Sequence, residues 1–200
     1  MKKITIVLFS VFFILSINTK VQAQLVSIGA GGGLTQILSP DYYKNDISDG
    51  GLGFSSGYNL GIIAKVDLPV IPITPRAFFL NHTLTSNFEE IDNKQTITSF
   101  GLGVQYGFIP IPAGFDPYLS LDVTFNNFGD FEGTLPTDFL AINGSRVGLQ
   151  LGVGTEITII PLINLDVFAG YNWFNLSGKE GVEETMSAFV LDVFLMFNFL

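Results

Sequence analysis

The chain has 200 residues, about the length of one domain, and 48% of them are hydrophobic whereas only 14% are charged. With 20 Phe and no Cys, this composition excludes a disordered chain, a disulfide framework and a thiolate metal site. The formal charge of −9 argues against nucleic acid as a partner, and the single His disfavours a zinc enzyme or a His-based triad. No cofactor is predicted.

The first segment, residues 1–23, is predicted to be a signal peptide. Lys2 and Lys3 precede an almost wholly apolar stretch, residues 4–17, and small residues end the segment at Ala23. The apolar stretch is too short to cross a bilayer as a helix. We expect cleavage after Ala23, which leaves residues 24–200 as the mature chain.

The mature chain alternates apolar and small polar residues with period two, the pattern of β-strands. The clearest runs are residues 52–67, 96–108, 145–159 and 189–199, and weaker ones are residues 26–38, 76–85, 118–126 and 165–174. Three apolar, proline-bearing connections occur at residues 68–75, 109–117 and 159–164. They alternate with four longer acidic connections at residues 39–51, 86–95, 127–143 and 175–187. This order predicts an all-β fold, an eight-stranded antiparallel up-and-down barrel.

The polar face of the strands indicates which side of this barrel meets water. A soluble lipocalin-like barrel has a charged exterior, whereas a membrane barrel has an apolar exterior and a polar lumen. Here the polar face is Gly, Ser, Thr, Asn and Gln with few charges, and the other face is Phe, Leu, Val and Ile. Small polar residues suit the narrow lumen of an eight-stranded barrel. The pattern therefore favours a transmembrane β-barrel, with a soluble periplasmic carrier as the alternative.

In strand number, loop asymmetry and C-terminal pattern, the chain resembles the small eight-stranded outer-membrane β-barrels of the OmpA/OmpX type from Gram-negative bacteria. In that group the barrel-assembly machinery reads a final strand that ends in alternating hydrophobic residues and an aromatic. Phe197 and Phe199 match this signal, although Leu200 follows the last aromatic. The resemblance implies localisation in the outer membrane, among lipid and lipopolysaccharide. It also implies a structural or interaction role, such as envelope integrity or surface contact, with at most a narrow pore.

A polar cluster is predicted inside the lumen. Its members are Lys65, Asp67, Asp122, Glu156 and Asp166. In a hairpin that turns at Pro161, Glu156 and Asp166 lie opposite each other and point inward. Two alternatives for its charges remain open: carboxylates that repel one another and cannot all ionise, or a salt-bridged plug completed by Lys65. A cation-binding or cation-conducting lumen is a third alternative.

No catalytic residue is predicted, and the chain is interpreted as non-enzymatic. Some barrels of this size modify lipid A with a His beside a Ser, but His82 lies in the sequence Asn81-His82-Thr83. We expect His82 at the membrane edge, on the face of Leu80 and Leu84. The acidic loops are interpreted as solvated, with divalent cations as candidates to bridge them to lipopolysaccharide phosphates.

Overall fold

The computed structural model describes residues 26–68, 71–88, 91–108, 114–133, 142–160, 162–181 and 183–199. The predicted signal peptide lies outside these ranges and stays a prediction. Eight antiparallel strands close into one barrel in chain order, with the first strand paired to the last. The strands are β1 (Val26–Ser39), β2 (Ser56–Val66), β3 (Ile73–Phe88), β4 (Ile91–Gly107), β5 (Phe115–Phe128), β6 (Gly144–Ile160), β7 (Ile163–Ser177) and β8 (Ser187–Phe199). The predicted fold class is confirmed.

The β1–β2 connection contains a one-turn helix, α1 (Asp41–Lys44), and a 3-10 turn (Ile47–Asp49). Among the described residues, no helix is long and apolar enough to cross a membrane. Short connections join β2 to β3, β4 to β5 and β6 to β7, and long ones join β1 to β2, β5 to β6 and β7 to β8. Barrels of this kind place short turns in the periplasm and long loops outside the cell.

The acidic connection predicted at residues 86–95 is wrong, because β3 and β4 continue through it. Their pairing runs to Phe88 and Ile91, so the hairpin stands above the barrel. Lys94 also exchanges both backbone hydrogen bonds with Glu132 in the next loop. Where the side chains of this hairpin are described, Ser86, Asn93 and Gln95 are buried. Gln95 donates its amide to the backbone carbonyls of Gly129 and Ile142, so contacts at the outer mouth accommodate polar residues in these strands.

The strand predicted at residues 52–67 begins four residues later, at Ser56. The backbone amides of Leu52 and Phe54 donate to the carbonyls of Tyr42 and Tyr43, which folds this segment over α1. Leu52 and Phe54 are buried in the outer mouth rather than exposed to lipid. Their alternation continues that of β2, so the sequence pattern does not mark the point where the strand ends.

The outer face of the barrel is an apolar belt. Its side chains are exposed in the isolated chain, as Leu102 (47%) and Leu151 (48%) illustrate. Facing inward on the same strands are Ser99, Gln105 and Gln150, all buried. The belt confirms that the apolar face predicted from the alternation is the lipid-facing one.

A charge in this belt is expected to prevent stable insertion. Leu102→Arg places a guanidinium near mid-strand and should lower the free energy of unfolding by ~2–4 kcal/mol, as Arg does at a bilayer midplane. Leu102→Met, which keeps size and apolarity, is the matched control and should change little. Denaturant titration in lipid vesicles measures both. Equal losses in the two variants would show that Leu102 does not face lipid.

Gly103 lies on the lumen face among small polar residues, which suggests that a substitution there has little effect. The neighbouring backbone shows otherwise. A Cβ built at Gly103 would lie 2.2 Å from the carbonyl oxygen of Leu121 and 2.6 Å from the Cα of Asp122. The backbone of β5 leaves no room there. Substitution by Ser is therefore expected to displace β5 or the Asp122 side chain.

Candidate functional site in the barrel lumen

The periplasmic half of the lumen holds an ion-paired group around Lys65. Lys65 Nζ donates to Glu156 Oε1 at 2.7 Å and to Asp166 Oδ2 at 2.6 Å. Glu156 and Asp166 are direct cross-strand partners on β6 and β7, as the hairpin geometry predicts. Tyr118 donates its hydroxyl to Asp166, and Gln105 donates its amide to Glu156. One ammonium therefore holds two carboxylates that would otherwise repel each other.

A second ion pair lies next to this group and was not expected from the sequence. Arg76 of β3 forms a two-pronged pair with Asp122 of β5: Nε to Oδ1 is 2.7 Å and Nη2 to Oδ2 is 2.5 Å. Its guanidinium carbon lies 4.9 Å from the ring centre of Phe168. Arg76 directly follows Pro75 at a predicted turn. Its inward direction depends on the register of β3 with β2 and β4.

The predicted cluster is thus divided. Lys65, Glu156 and Asp166 form one group, and Asp122 belongs to the second with Arg76. Asp67 lies in the turn after β2, where it accepts a hydrogen bond from Thr74 at 2.9 Å. Burial raises the pKa of the Asp67 carboxyl, and Glu156 nearby adds to this.

Above the ion pairs, a hydrogen-bonded chain crosses the lumen. Asn59 Nδ2 donates to Asp192 Oδ1 at 2.7 Å and lies 3.3 Å from Thr35 Oγ1. Thr35 Oγ1 is 2.9 Å from His82 Nδ1. Asp192 was not expected from the sequence, because it is one acid in the otherwise apolar run of β8.

The prediction that His82 lies at the membrane edge is wrong. His82 is fully buried in the lumen, and its ring meets the edge of Phe174 at a centroid distance of 5.3 Å. Leu80 and Leu84 point inward with it. On β3 both faces contain apolar residues, so the alternation does not distinguish the lipid side from the lumen side.

An apolar plug closes the outer mouth. It consists of strand residues and of loop residues that fold inward: Ile37, Tyr43, Leu52, Phe54, Leu84, Ile97, Phe128, Ile142, Phe174, Met186 and Ala188. Tyr43 also accepts a hydrogen bond from the backbone amide of Ile142 at 2.8 Å, which ties the β1–β2 loop to the β5–β6 loop. Arg146 pairs with Glu183 at 3.0 Å and ties the β7–β8 loop to the rim.

Between the ion pairs and the plug, the described residues line a small, partly open cavity of about 10 Å³, close to the space that one water molecule needs. Polar atoms of Arg76, Gln150, Asp166 and Asp192 line it, among five apolar side chains. No group of three or more His, Cys, Asp or Glu in the described ranges is arranged to hold a metal ion. In this arrangement the lumen is a packed and ion-paired core rather than a channel.

The two residues of the predicted assembly signal lie on the lipid side of β8. Phe197 and Phe199 are exposed on the belt, opposite Ile28 and Val26 of β1. Their side chains are therefore accessible from outside the barrel. The reading of this strand by assembly factors stays a prediction.

The closed barrel, its apolar belt and its polar lumen are matched by a family model. The outer membrane protein beta-barrel domain matches residues 7–198. The chain belongs to this family. This outer-membrane barrel is therefore an integral protein of the outer membrane, surrounded by lipid and lipopolysaccharide. The predicted family and localisation are confirmed, and the soluble periplasmic carrier is excluded.

Solved structures show the same fold at low sequence identity. Neisserial surface protein A is 17% identical with a TM-score of 0.58, over 88% of this chain and 96% of that one. Ail of Yersinia pestis, in complex with the heparin analogue sucrose octasulfate, is 14% identical with a TM-score of 0.53, over 88% and 100%. OprG of Pseudomonas aeruginosa is 17% identical with a TM-score of 0.52, over 88% and 96%. No curated protein matches the chain.

Proposed function

We propose that this outer-membrane barrel is a non-enzymatic envelope protein that acts through its outer surface and its contact with lipid. The observation that carries this proposal is the filled lumen. Ion pairs occupy its periplasmic half, and the apolar plug closes its outer mouth. Side chains of the described residues fill the lumen at both levels, and general porin flux is not expected of an eight-stranded barrel filled in this way.

The enzymatic alternative, modification of lipid A, requires a polar nucleophile and base within reach of a lipid at the outer rim. His82 is the single imidazole of the chain, and it lies inside the barrel under Phe174. Its Nδ1 contacts Thr35, and its Nε2 is buried without a hydrogen-bond partner. A lipid in the surrounding membrane would have to pass through the barrel wall to reach it. This placement favours the non-enzymatic role.

The charge of the outer surface indicates which partners it can take. The exposed carboxylates of the described loops are Asp41, Asp46, Asp49, Asp130, Glu132, Glu180 and Glu184. The lysines of the same region are Lys44, Lys94 and Lys179, and two of them pair with acids. Such a surface repels polyanions, so we do not extend to this chain the heparin-type ligand named for Ail. Divalent cations that bridge the loops to lipopolysaccharide phosphates fit it better.

Two measurements test the proposal. Purified barrel in planar bilayers should give no steady ion current above the lipid background. Lipid A from a deletion strain should have the same mass spectrum as lipid A from the parent. Discrete conductance steps would contradict the closed lumen. An acyl chain lost or gained in the deletion strain, and restored by the wild-type gene but not by His82→Ala, would establish the enzymatic alternative instead.

A further inference from the structure

Two periplasmic turns of the barrel, β2–β3 and β6–β7, carry exposed apolar side chains among their described residues. In the β2–β3 turn Ile71 is 50% exposed. At the β6–β7 turn Ile159, Ile160 and Leu162 are 57%, 51% and 54% exposed. Turns in water are usually built from Gly, Asn, Asp and Ser, so these tips differ from the composition that solvent favours.

The rim at this end has a wet side and an apolar side. Asp116 and Glu156 are cross-strand partners on the inward face of β5 and β6, and Asp67 lies beside them in electrostatic range. Outward from the same rim point Phe108 and Phe115, both exposed. The carboxylates therefore face the axis of the barrel, and the apolar residues extend the lipid-facing belt downward.

The length of the belt places these tips close to the hydrocarbon boundary. On β6 the outward side chains run from Val147 to Ile159, which is twelve residue steps, and all of them except Thr155 are apolar. The register with β7 shifts at the lower end of this run, between Thr158 and Ile160. At about 3.3 Å per step the run measures about 40 Å along the strand. A strand tilt of about 40° reduces this to about 30 Å along the membrane normal, against a usual apolar band of about 25 Å. Ile160 and Leu162 add to the lower end of a band that is already long.

We propose that the tips of the β2–β3 and β6–β7 turns are immersed in the inner leaflet of the outer membrane, with Ile71, Ile159, Ile160 and Leu162 in contact with phospholipid. The occupant is lipid rather than a protein because the turn tips are continuous with the belt that already contacts lipid. The turns thus anchor the barrel at a fixed depth.

Spin labels at the turn tips test this directly, because the chain has no Cys and each variant then carries a single label. Leu162→Cys and Ile71→Cys are labelled with a nitroxide after folding into phosphatidylethanolamine–phosphatidylglycerol vesicles. Collisions with oxygen, which concentrates in lipid, are compared with collisions with a water-soluble nickel chelate present on both sides. Leu151→Cys is the control for the belt, and Asp130→Cys is the control for a loop in water.

The expected result is an oxygen-to-nickel ratio at both tips that is shifted toward the value at Leu151 and clearly above the value at Asp130. A ratio equal to that at Asp130 would overturn the proposal, since the tips would then lie in the periplasm. Dipolar broadening between labels on different molecules would also overturn it, because a second copy of the chain would then cover the tips. The heat-dependent gel shift identifies folded barrels, and a second tip position keeps the test decisive if one variant does not fold.

Discussion

Replacing Asp122 by Leu is expected to lower the free energy of unfolding by ~3–5 kcal/mol, because it leaves the buried guanidinium of Arg76 without its partner. Asp122 provides both oxygens of the two-pronged pair. The rings of Phe78 and Phe168 lie against the guanidinium and cannot replace a carboxylate. Asp166 and Asp192 act on Arg76 only electrostatically, across the small cavity, and each is already hydrogen-bonded to another group. Urea titration in lipid vesicles measures the loss.

Two further variants separate the loss of the ion pair from the loss of packing. The double variant Arg76→Leu/Asp122→Leu removes both charges and should recover most of the stability, since an apolar pair can replace a buried ion pair. Ser120→Ala changes a buried residue on the same strand and face whose hydroxyl has no hydrogen-bond partner, so it should be close to neutral. If the single Asp122→Leu variant were as stable as Ser120→Ala, the ion pair would not be what offsets the cost of burying the Arg76 charge.

The second large effect is expected for Lys65→Met at neutral pH. This change leaves Glu156 and Asp166 as facing carboxylates without their shared ammonium. The free energy of unfolding should fall by ~3–5 kcal/mol, as for other buried charges that lose a partner. In this variant the folded barrel binds protons more readily than the unfolded chain, because protonation of either carboxylate removes the repulsion. Its stability should therefore fall further as the pH rises and recover as the pH falls.

Glu156→Gln separates the two interpretations of the cluster that the sequence left open. If the carboxylates are crowded beyond what Lys65 compensates, the variant gains stability, and the gain is larger at about pH 8 than at about pH 5. If the cluster is a salt-bridged plug, Lys65 and Gln105 lose a charged acceptor and the variant loses stability at both pH values. The observed contacts favour the plug. The double variant Lys65→Met/Glu156→Gln should be more stable than Lys65→Met, because one of the two facing charges is gone.

Local patterns predicted the barrel because each strand has to satisfy one simple condition. Alternate side chains of a membrane strand face lipid and lumen, so the period-two pattern shows which residues lie on the same face of the sheet. On β4 and β6 the contrast between bulky apolar and small polar residues is strong. The pattern predicts both ends of β6 and the last residues of β4 to within one residue, whereas β4 begins five residues earlier than predicted, at Ile91. On β3 both faces carry apolar residues, and His82 was accordingly assigned to the wrong side.

The lumen contacts could be predicted only where two residues share a hairpin. Glu156 and Asp166 are ten residues apart around one tight turn, so their pairing follows from counting an equal number of residues on each side of the turn. Lys65 with Asp166, and Arg76 with Asp122, join strands that are not neighbours in the barrel wall. Those contacts depend on how far each strand is staggered against the next around the whole barrel, and the sequence contains no local signal for it.

The sequence by itself determined the class of this protein: an eight-stranded membrane barrel with an apolar exterior. Hydrophobic periodicity and turn chemistry are local properties, and they suffice for that result. Only the tertiary structure decided that Leu52 and Phe54 fold back into the mouth, that Arg76 neutralises Asp122, and that His82 is enclosed. These features depend on closure of the barrel. Only the closed ring brings side chains from opposite walls into one lumen, and only a closed ring has an outer opening into which the loop residues can fold.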